Sequence, residues 1–479
     1  MQKYDLVVIG GGSGLDIANA AAEKGLKVAI IEKDKMGGTC LNRGCIPSKL
    51  LIHSADVIET IKRANLFGIK IDRISIDYQK IVNRVNRITD SDSEEIKNGL
   101  QQSENPKLFT EKCTFIGHKK IAIGELKEDG NYDGNDEQII TAEKIVLAAG
   151  TRPRIPKING LVESGFITSD EALRLQKQPH TLTFIGGGYI ACELAHFFGS
   201  LGTTINIIQR NDFLIPNEDE EISHKFTEVF AKKYNLYLGF DTKSVLSKNN
   251  SNNNYNDDDN NNKRFHIIAK NIKGKSIELE SDQLLVSVGR IPNTDLLNLE
   301  KTGVNVNEKG FVDVDEYLET TTKGIFALGD IVGRYQFKHN ANLEAQYAYN
   351  NIIYPNKKKS VNYNAMPHAI FSSPQVASVG FTEQELKKKN IVYTKSTYPY
   401  INTGMGEAIE DKDGFVKFLV DKNNRKILGC HIIGTNASIL IHEVLVSMRT
   451  GDGTIDSITK TIHIHPALSE VVVRAAGEI

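Results

Sequence analysis

Leu6-Val7-Val8-Ile9-Gly10-Gly11-Gly12-Ser13-Gly14 is the stretch that decides the architecture. Four consecutive apolar residues running into glycine read as a strand buried on both faces, the pattern of a parallel sheet. The glycines permit a tight turn, and an alanine-rich helix follows to Gly25. Lys27-Val28-Ala29-Ile30-Ile31 then supplies the next parallel strand and ends at Glu32. This strand, turn, helix and strand place an acidic residue about 20 positions beyond the first glycine, where a carboxylate bonds a ribose hydroxyl while the helix N-terminus carries a pyrophosphate. Gly10, Gly12, Gly14 and Glu32 are therefore candidate nucleotide contacts. Leu15 stands where the third glycine of the pattern falls, so the helix is expected slightly further from its strand than usual.

Moving outward, the same unit recurs mid-chain. Thr181-Leu182-Thr183-Phe184-Ile185 runs into Gly186-Gly187-Gly188-Tyr189-Ile190-Ala191, then a helix through Phe198 and the strand Thr204-Ile205-Asn206-Ile207-Ile208. One glycine fingerprint is a weak signal; two in order imply two separate dinucleotides, with Gly186, Gly188 and Ala191 in the second turn. The second unit ends in Gln209-Arg210 rather than an acid. An arginine there can pair with a 2′-phosphate and no carboxylate repels it, which leaves NADP(H) as open as NAD(H).

Between the two units stands Cys40-Leu41-Asn42-Arg43-Gly44-Cys45, ahead of a helix that begins Ile46-Pro47-Ser48-Lys49. Proline is tolerated in the first helical turn, and a helix N-terminus lowers a thiol pKa. Cys45 is thus placed to form a thiolate, with Cys40 on the preceding loop, open to a partner dithiol or disulfide. A disulfide closing so short a ring removes little chain entropy, roughly 2 kcal/mol, so redox chemistry accounts for the pair better than a structural staple does.

The chain has 479 residues, 40% hydrophobic and 25% charged, with a net charge of −2. That length suits about three domains, and the charge gives no reason to expect nucleic acid or an anionic membrane surface. No apolar run reaches the ~18 residues of a membrane span, and the start Met1-Gln2-Lys3-Tyr4-Asp5 lacks a signal-peptide layout, so a cytoplasmic location is expected. Five cysteines suit a reducing compartment with one catalytic pair; Cys430 reads as a strand residue. Asn249 to Arg264 is almost entirely polar and is expected as a mobile surface loop, and Glu125 to Glu137 as a long hairpin turn. From about Pro367 the pattern becomes α+β, with strands at Ser378–Gly380 and Phe415–Val420 and a helix from Ala437 to Thr450.

Six ordered motifs make the chain similar, over essentially its whole length, to the class I pyridine nucleotide-disulfide oxidoreductases, which include dihydrolipoyl dehydrogenase and glutathione, mycothione and mercuric reductases. The motifs are Gly37-Gly38-Thr39-Cys40 through Lys49, Ala148-Ala149-Gly150-Thr151-Arg152-Pro153, Gly186 to Glu193, Val288-Gly289-Arg290-Ile291-Pro292-Asn293, Gly324 to Asp330, and His463-Ile464-His465-Pro466-Ala467-Leu468-Ser469-Glu470. The resemblance implies FAD and NAD(P) as cofactors and a redox-active Cys40–Cys45 disulfide. It implies that Asp330 bonds the FAD ribitol, Glu32 its adenosine ribose, and Gly117 the adenine region, with Thr39 and Gly289 also at cofactor positions. Lys49 resembles the lysine beside the flavin N5, with Glu193 as its partner, and Tyr189 an aromatic that covers the flavin until nicotinamide displaces it. His465 and Glu470 resemble a proton-shuttling dyad that acts on the cysteine pair of the opposite subunit; a carboxylate beside an imidazole fixes its tautomer and favours its protonated form.

The fold expected is α/β, with two Rossmann-like units and a C-terminal α+β dimerisation domain: FAD-binding at 1–154, NAD(P)-binding at 155–290, a central segment completing the FAD site at 291–358, and an interface domain at 359–479. The expected activity is dihydrolipoyl dehydrogenase, with a lipoyl group or other small dithiol as substrate, a homodimer as the working form and a 2-oxo acid dehydrogenase complex as a partner left open. Tyr335 to Asn342 and Gly406 to Asp411 look closer to mycothione reductase, which makes an NADPH-dependent reductase of a small disulfide the alternative. A non-catalytic flavoprotein subunit is the alternative from another class, and the intact cysteine pair and His465 argue against it.

Overall fold

In a computed structural model, residues 1–125, 138–247 and 265–479 are described. The expected loop at Asn249–Arg264 and all but the first residue of the expected Glu125–Glu137 turn lie outside them. The chain divides into two compact units. The first comprises Met1–Ser48, Val82–Arg154 and Gly289–Asn362, and the second Lys49–Ile81, Ile155–Val288 and Tyr363–Ile479.

The sheet of the first unit is built on β1 (Gln2–Ile9), β2 (Val28–Ile31), β3 (Lys107–Phe109), β4 (Cys113–Gly117), β5 (Lys120–Ile123) and β6 (Ile139–Leu147). Its order is β3-β2-β1-β6-β5-β4. β1 is parallel to both neighbours, with Ile9 opposite Ile31 and Leu147. Leu6 and Val8 face one apolar cluster and Val7 and Ile9 another, so alternation delivers side chains to two covered faces. Beyond the short β7 (Thr151–Pro153), the segment expected as a central domain returns to this unit. Its strand at Ile325–Ala327 pairs in parallel with β6.

The glycine turn behaves differently from the expectation at Leu15. Helix α1 spans Gly14–Glu23, and a methyl on Gly14 would lie 2.7 Å from Val8 Cγ1 and 3.1 Å from Ala148 Cβ. Gly14 therefore supplies the close helix-to-strand approach, and Leu15 packs, partly buried, against the apolar cluster that contains Val8; the helix is not held off.

In the second unit, β8 (Thr181–Ile185) and β9 (Thr204–Gln209) pair in parallel, flanked by β10 (Asn235–Leu238) and the strand Gln283–Val286. Strands β11 (Phe240–Ser247) and β12 (Phe265–Asn271) pair antiparallel, with Ser247 opposite Phe265. The C-terminal part folds as an antiparallel sheet on the helix Ala437–Arg449, and Cys430 is fully buried in its core. One feature there defies the hydrophobic pattern: Lys417 is fully buried, with Asp219 at 2.8 Å and Glu383 at 2.6 Å. Glu221 lies at 3.3 Å as a third carboxylate, and such a buried charge is tolerated because these partners surround it. Among the described residues no helix is long and apolar enough to cross a membrane.

A candidate redox active site

Cys40 lies on helix α2 (Gly38–Arg43) rather than on a loop, and Cys45 is the first residue of α3 (Cys45–Lys62). Between them Gly44 turns the chain back on itself, and a methyl there would lie 2.8 Å from Thr39 O and 3.3 Å from Cys40 Cα. Any larger residue would push the second cysteine away from the first. Asn42 anchors α2 from behind, its Nδ2 donating to Met36 O at 2.8 Å and Gly38 O at 3.0 Å. Cys45 is exposed and Cys40 half-buried. They are hydrogen-bonded to one another; that bond and burial push the Cys40 thiol far above the ordinary thiol range. The remaining cysteines pack, Cys192 and Cys430 being buried and Cys113 partly so.

Glu32, at the end of β2, accepts the Gly11 N–H at 2.8 Å and the Asp34 N–H at 2.9 Å. Its carboxylate is thereby fixed at the mouth of the glycine turn, whose Gly10 and Gly12 carry the backbone toward α1. Asp330 accepts a hydrogen bond from Thr151 Oγ1 at 3.0 Å, and Arg290 donates to the same Oγ1 at 2.7 Å and to Thr151 O at 2.8 Å. Burial raises the Asp330 carboxyl above its usual range, against the lowering influence of Thr151 and Arg290. A desolvated carboxylate of this kind gains most from a hydroxyl donor. The glycine turn, Glu32 and Asp330 together offer the acceptors that a ribose and a polyol chain require, so the donor set fits FAD. Thr39 is in α2, Gly117 ends β4 opposite Lys120, and Gly289 O accepts the Arg154 N–H at 2.9 Å.

In the second unit the turn Gly186–Gly188 opens helix Tyr189–Ser200, with Gly188 as its N-cap and Ala191 fully buried. Tyr189 is 43% exposed at that helix start. Gln209 is buried at the end of β9, and its Oε1 accepts the Arg210 N–H at 3.0 Å. Lys49 Nζ donates to both oxygens of Glu193, at 2.8 and 3.0 Å, and lies 4.5 Å from the Phe371 ring centroid. Glu193 is buried and also accepts the Phe371 N–H at 3.0 Å, so the pair is held on three sides. His465 Nδ1 meets Glu470 Oε1 at 2.9 Å, and Glu470 Oε2 accepts the Ala467 N–H at 3.2 Å. The hydrogen bond from His465 holds the Glu470 carboxyl below its ordinary range. The imidazole side chain is 76% exposed while the Glu470 side chain is 11% exposed, so the dyad presents Nε2 outward from an anchored base.

The pairs that the motifs put forward are thus in contact: Cys40 with Cys45, Lys49 with Glu193 and His465 with Glu470. Sequence reasoning passed over Thr151 and Arg290 as support for Asp330 and Phe371 as support for Glu193. Thr151 and Arg290 stand inside quoted motifs, which was the available signal; Phe371 carried none.

The chain matches the family model for pyridine nucleotide-disulphide oxidoreductases over residues 4–345 and that family's dimerisation domain over residues 366–476. It is 33% identical over 479 residues to a dihydrolipoyl dehydrogenase of Chlamydia muridarum, covering 99% of this chain and 96% of that one. It is also 33% identical over 500 residues to a mycothione reductase of Mycobacterium tuberculosis, covering 99% of each. Among solved structures it resembles the Cu(II) complex of the HOCl-induced flavoprotein disulfide reductase RclA from Escherichia coli, with a TM-score of 0.84, 25% identity and full coverage of both chains. The fold and site define a flavin-dependent disulfide oxidoreductase. The chain belongs to the pyridine nucleotide-disulphide oxidoreductase family, whose cofactors are FAD and NAD(P).

Proposed function

We propose that the protein is a homodimeric enzyme of dihydrolipoyl dehydrogenase type, converting dihydrolipoamide and NAD⁺ to lipoamide and NADH. The observation that carries this reading is the hydrogen-bonded Cys40–Cys45 pair at the start of α3, with an anchored imidazole base elsewhere in the same chain. FAD, when bound, passes the electron pair between the cysteine pair and the pyridine nucleotide. In the oxidised enzyme a substrate thiolate attacks Cys40 Sγ, the Cys40–Cys45 bond breaks, and its electron pair stays on Cys45. The second substrate sulfur then closes the substrate disulfide and releases Cys40. Of the two substrate protons, one goes to His465 Nε2 of the opposite subunit and the other leaves with the Cys40 thiol; Glu470 keeps the imidazole in the required tautomer. The helix N-terminus stabilises the Cys45 thiolate. Lys49, fixed by Glu193, orients the flavin edge, and Tyr189 guards the nicotinamide position. Glu32, Asp330, Thr39 and Gly117 hold FAD; Gly186, Gly188, Ala191, Gln209, Arg210 and Gly289 serve the nucleotide side. A 2-oxo acid dehydrogenase complex would present the lipoyl group.

A second reading, an NADPH-dependent reductase of a small disulfide, is favoured by one observation: Arg210 is exposed beside a neutral Gln209. Steady-state turnover separates the two. Oxidation of dihydrolipoamide with NAD⁺ supports the first, and NADPH-linked reduction of another disulfide with no lipoamide turnover replaces it.

A further inference from the structure

His196 is fully buried in the helix Tyr189–Ser200, between the equally buried Ala195 and Phe197. An imidazole in such a place needs partners for both ring nitrogens. Its Nε2 meets Asp56 Oδ1 at 2.8 Å and its Nδ1 meets Ser200 Oγ at 3.2 Å. The carboxylate only accepts, so Nε2 is the donor. Asp56 stands on α3 seven residues after Lys49, and His196 stands three residues after Glu193 on its own helix. Both spacings return to the same helical face. The His196–Asp56 bond therefore joins the same two helices as the Lys49–Glu193 pair. Lys62 Nζ, donating to Ser200 O at 2.8 Å, joins them a third time at their C-terminal ends. Lys49, Asp56 and Lys62 thus meet Glu193, His196 and Ser200 in the same order along the two helices. Apolar contact between helices tolerates sliding, whereas a hydrogen bond weakens steeply away from one geometry.

We propose that His196, through Asp56, is a positioning residue for electron transfer at the flavin, setting the register of its helix on α3 so that Glu193 holds Lys49 in place. This rests on the role proposed above for Lys49 and Glu193. Glutamate is a flexible side chain, so the bonds Glu193 makes to Lys49 and to the Phe371 N–H leave its helix room to slide. The His196–Asp56 bond removes that room one turn further on. A displaced ion pair beside reacting atoms slows a transfer while leaving distant binding contacts intact.

Two measurements test it. In the FAD-free protein, acetylation of Lys49 by an N-hydroxysuccinimide ester is followed by peptide mass, with the exposed Lys70 as internal reference. His196→Ala and Asp56→Ala are each expected to raise the Lys49 rate about 5-fold, the scale of one lost hydrogen bond, with Lys70 unchanged. His196→Gln, whose amide can donate to Asp56 from the same place, restores the wild-type rate. Asp56 is partly exposed, so its variant keeps the inference testable should His196→Ala not fold. In the FAD-loaded protein, the limiting rate of flavin reduction by NADH or NADPH, whichever reduces it faster, is expected to fall about 5-fold in Asp56→Ala, with the half-saturating nucleotide concentration unchanged. Added to Glu193→Gln, the same substitution is expected to cause no further fall, because both act through one pair. An unchanged Lys49 rate in Asp56→Ala, or an equal loss of flavin reduction with and without Glu193→Gln, overturns the proposal. Failure of the underlying reading shows separately, as a wild-type rate of flavin reduction in Glu193→Gln alone.

Discussion

The two glycine turns, at Gly10–Gly14 and Gly186–Ala191, use one backbone design and differ in the side chain at the end of the following strand. In the first, Glu32 accepts the N–H of Gly11 within its own turn and that of Asp34. In the second, Gln209 accepts only the N–H of Arg210, and the arginine faces solvent. The scaffold in both cases offers a helix N-terminus to phosphate. On the proposed reading, which nucleotide follows is decided by one or two side chains, a carboxylate for a ribose diol in one case and a neutral amide with a cation in the other.

The largest expected effect of breaking this comparison is at Glu32. Replacing it with lysine removes an anionic acceptor and places a cation on the turn, and flavin affinity is expected to fall about 100-fold, the scale of losing charge-assisted hydrogen bonds. Flavin content after purification and fluorescence titration of the apoprotein measure it; Gln209→Ala should leave both unchanged. Next comes Gln209→Glu, which installs in the second turn what the first already has. The ratio of kcat/KM for NADPH over NADH is expected to drop about 10-fold or more, through repulsion between the new carboxylate and a 2′-phosphate. An unchanged ratio would mean that Arg210 does not read the nucleotide.

A third substitution tests the packing that the turns share. Gly14→Val forces a branched side chain against Val8 and Ala148 and is expected to destabilise the protein by about 2 kcal/mol, seen as a lowered Tm, whereas Leu15→Ala should have little effect. The smallest effect concerns pH. The Asp330 carboxyl is raised by burial, so the folded state binds its proton more tightly than the unfolded chain does. Its contribution to stability is therefore present below the unfolded carboxylate pKa and is lost as pH rises through the folded one. Asp330→Asn should remove that loss, so that the acid side of the apoprotein's stability curve rises more steeply with pH than wild type's while flavin binding weakens, and a curve parallel to wild type would contradict the burial argument.

Much of this architecture was legible because parallel strands bury both faces and therefore print unbroken apolar runs: Leu6–Ile9 and Thr181–Ile185 were readable in place and type. The candidate pairs were legible for a different reason, since Cys40–Cys45 and His465–Glu470 are close in sequence and need no knowledge of the fold. Contacts made by returning chain were not. The Ile325–Ala327 strand joins β6 across more than a hundred residues, and Lys338 reaches Ser13 from the far end of the same unit. Nor does any local pattern announce Lys417, a buried cation inside the apolar run Phe415–Val420, because its partners Asp219 and Glu383 come from elsewhere in the chain. The misplacement of Cys40 on a loop has a local cause. Gly37 and Gly44 bracket α2, and six residues between glycines carry too little periodicity to declare a helix.

The most direct measurement is an anaerobic reductive titration of the FAD-loaded protein with NADH, followed from the flavin absorption into the long-wavelength region. Uptake of one electron pair more than the flavin itself accepts is expected, with a long-wavelength band that is lost in Cys45→Ser and kept in Cys40→Ser. Uptake of the flavin's own electron pair alone, with no such band in the wild-type protein, would contradict the assignment of Cys40 and Cys45 as the redox pair.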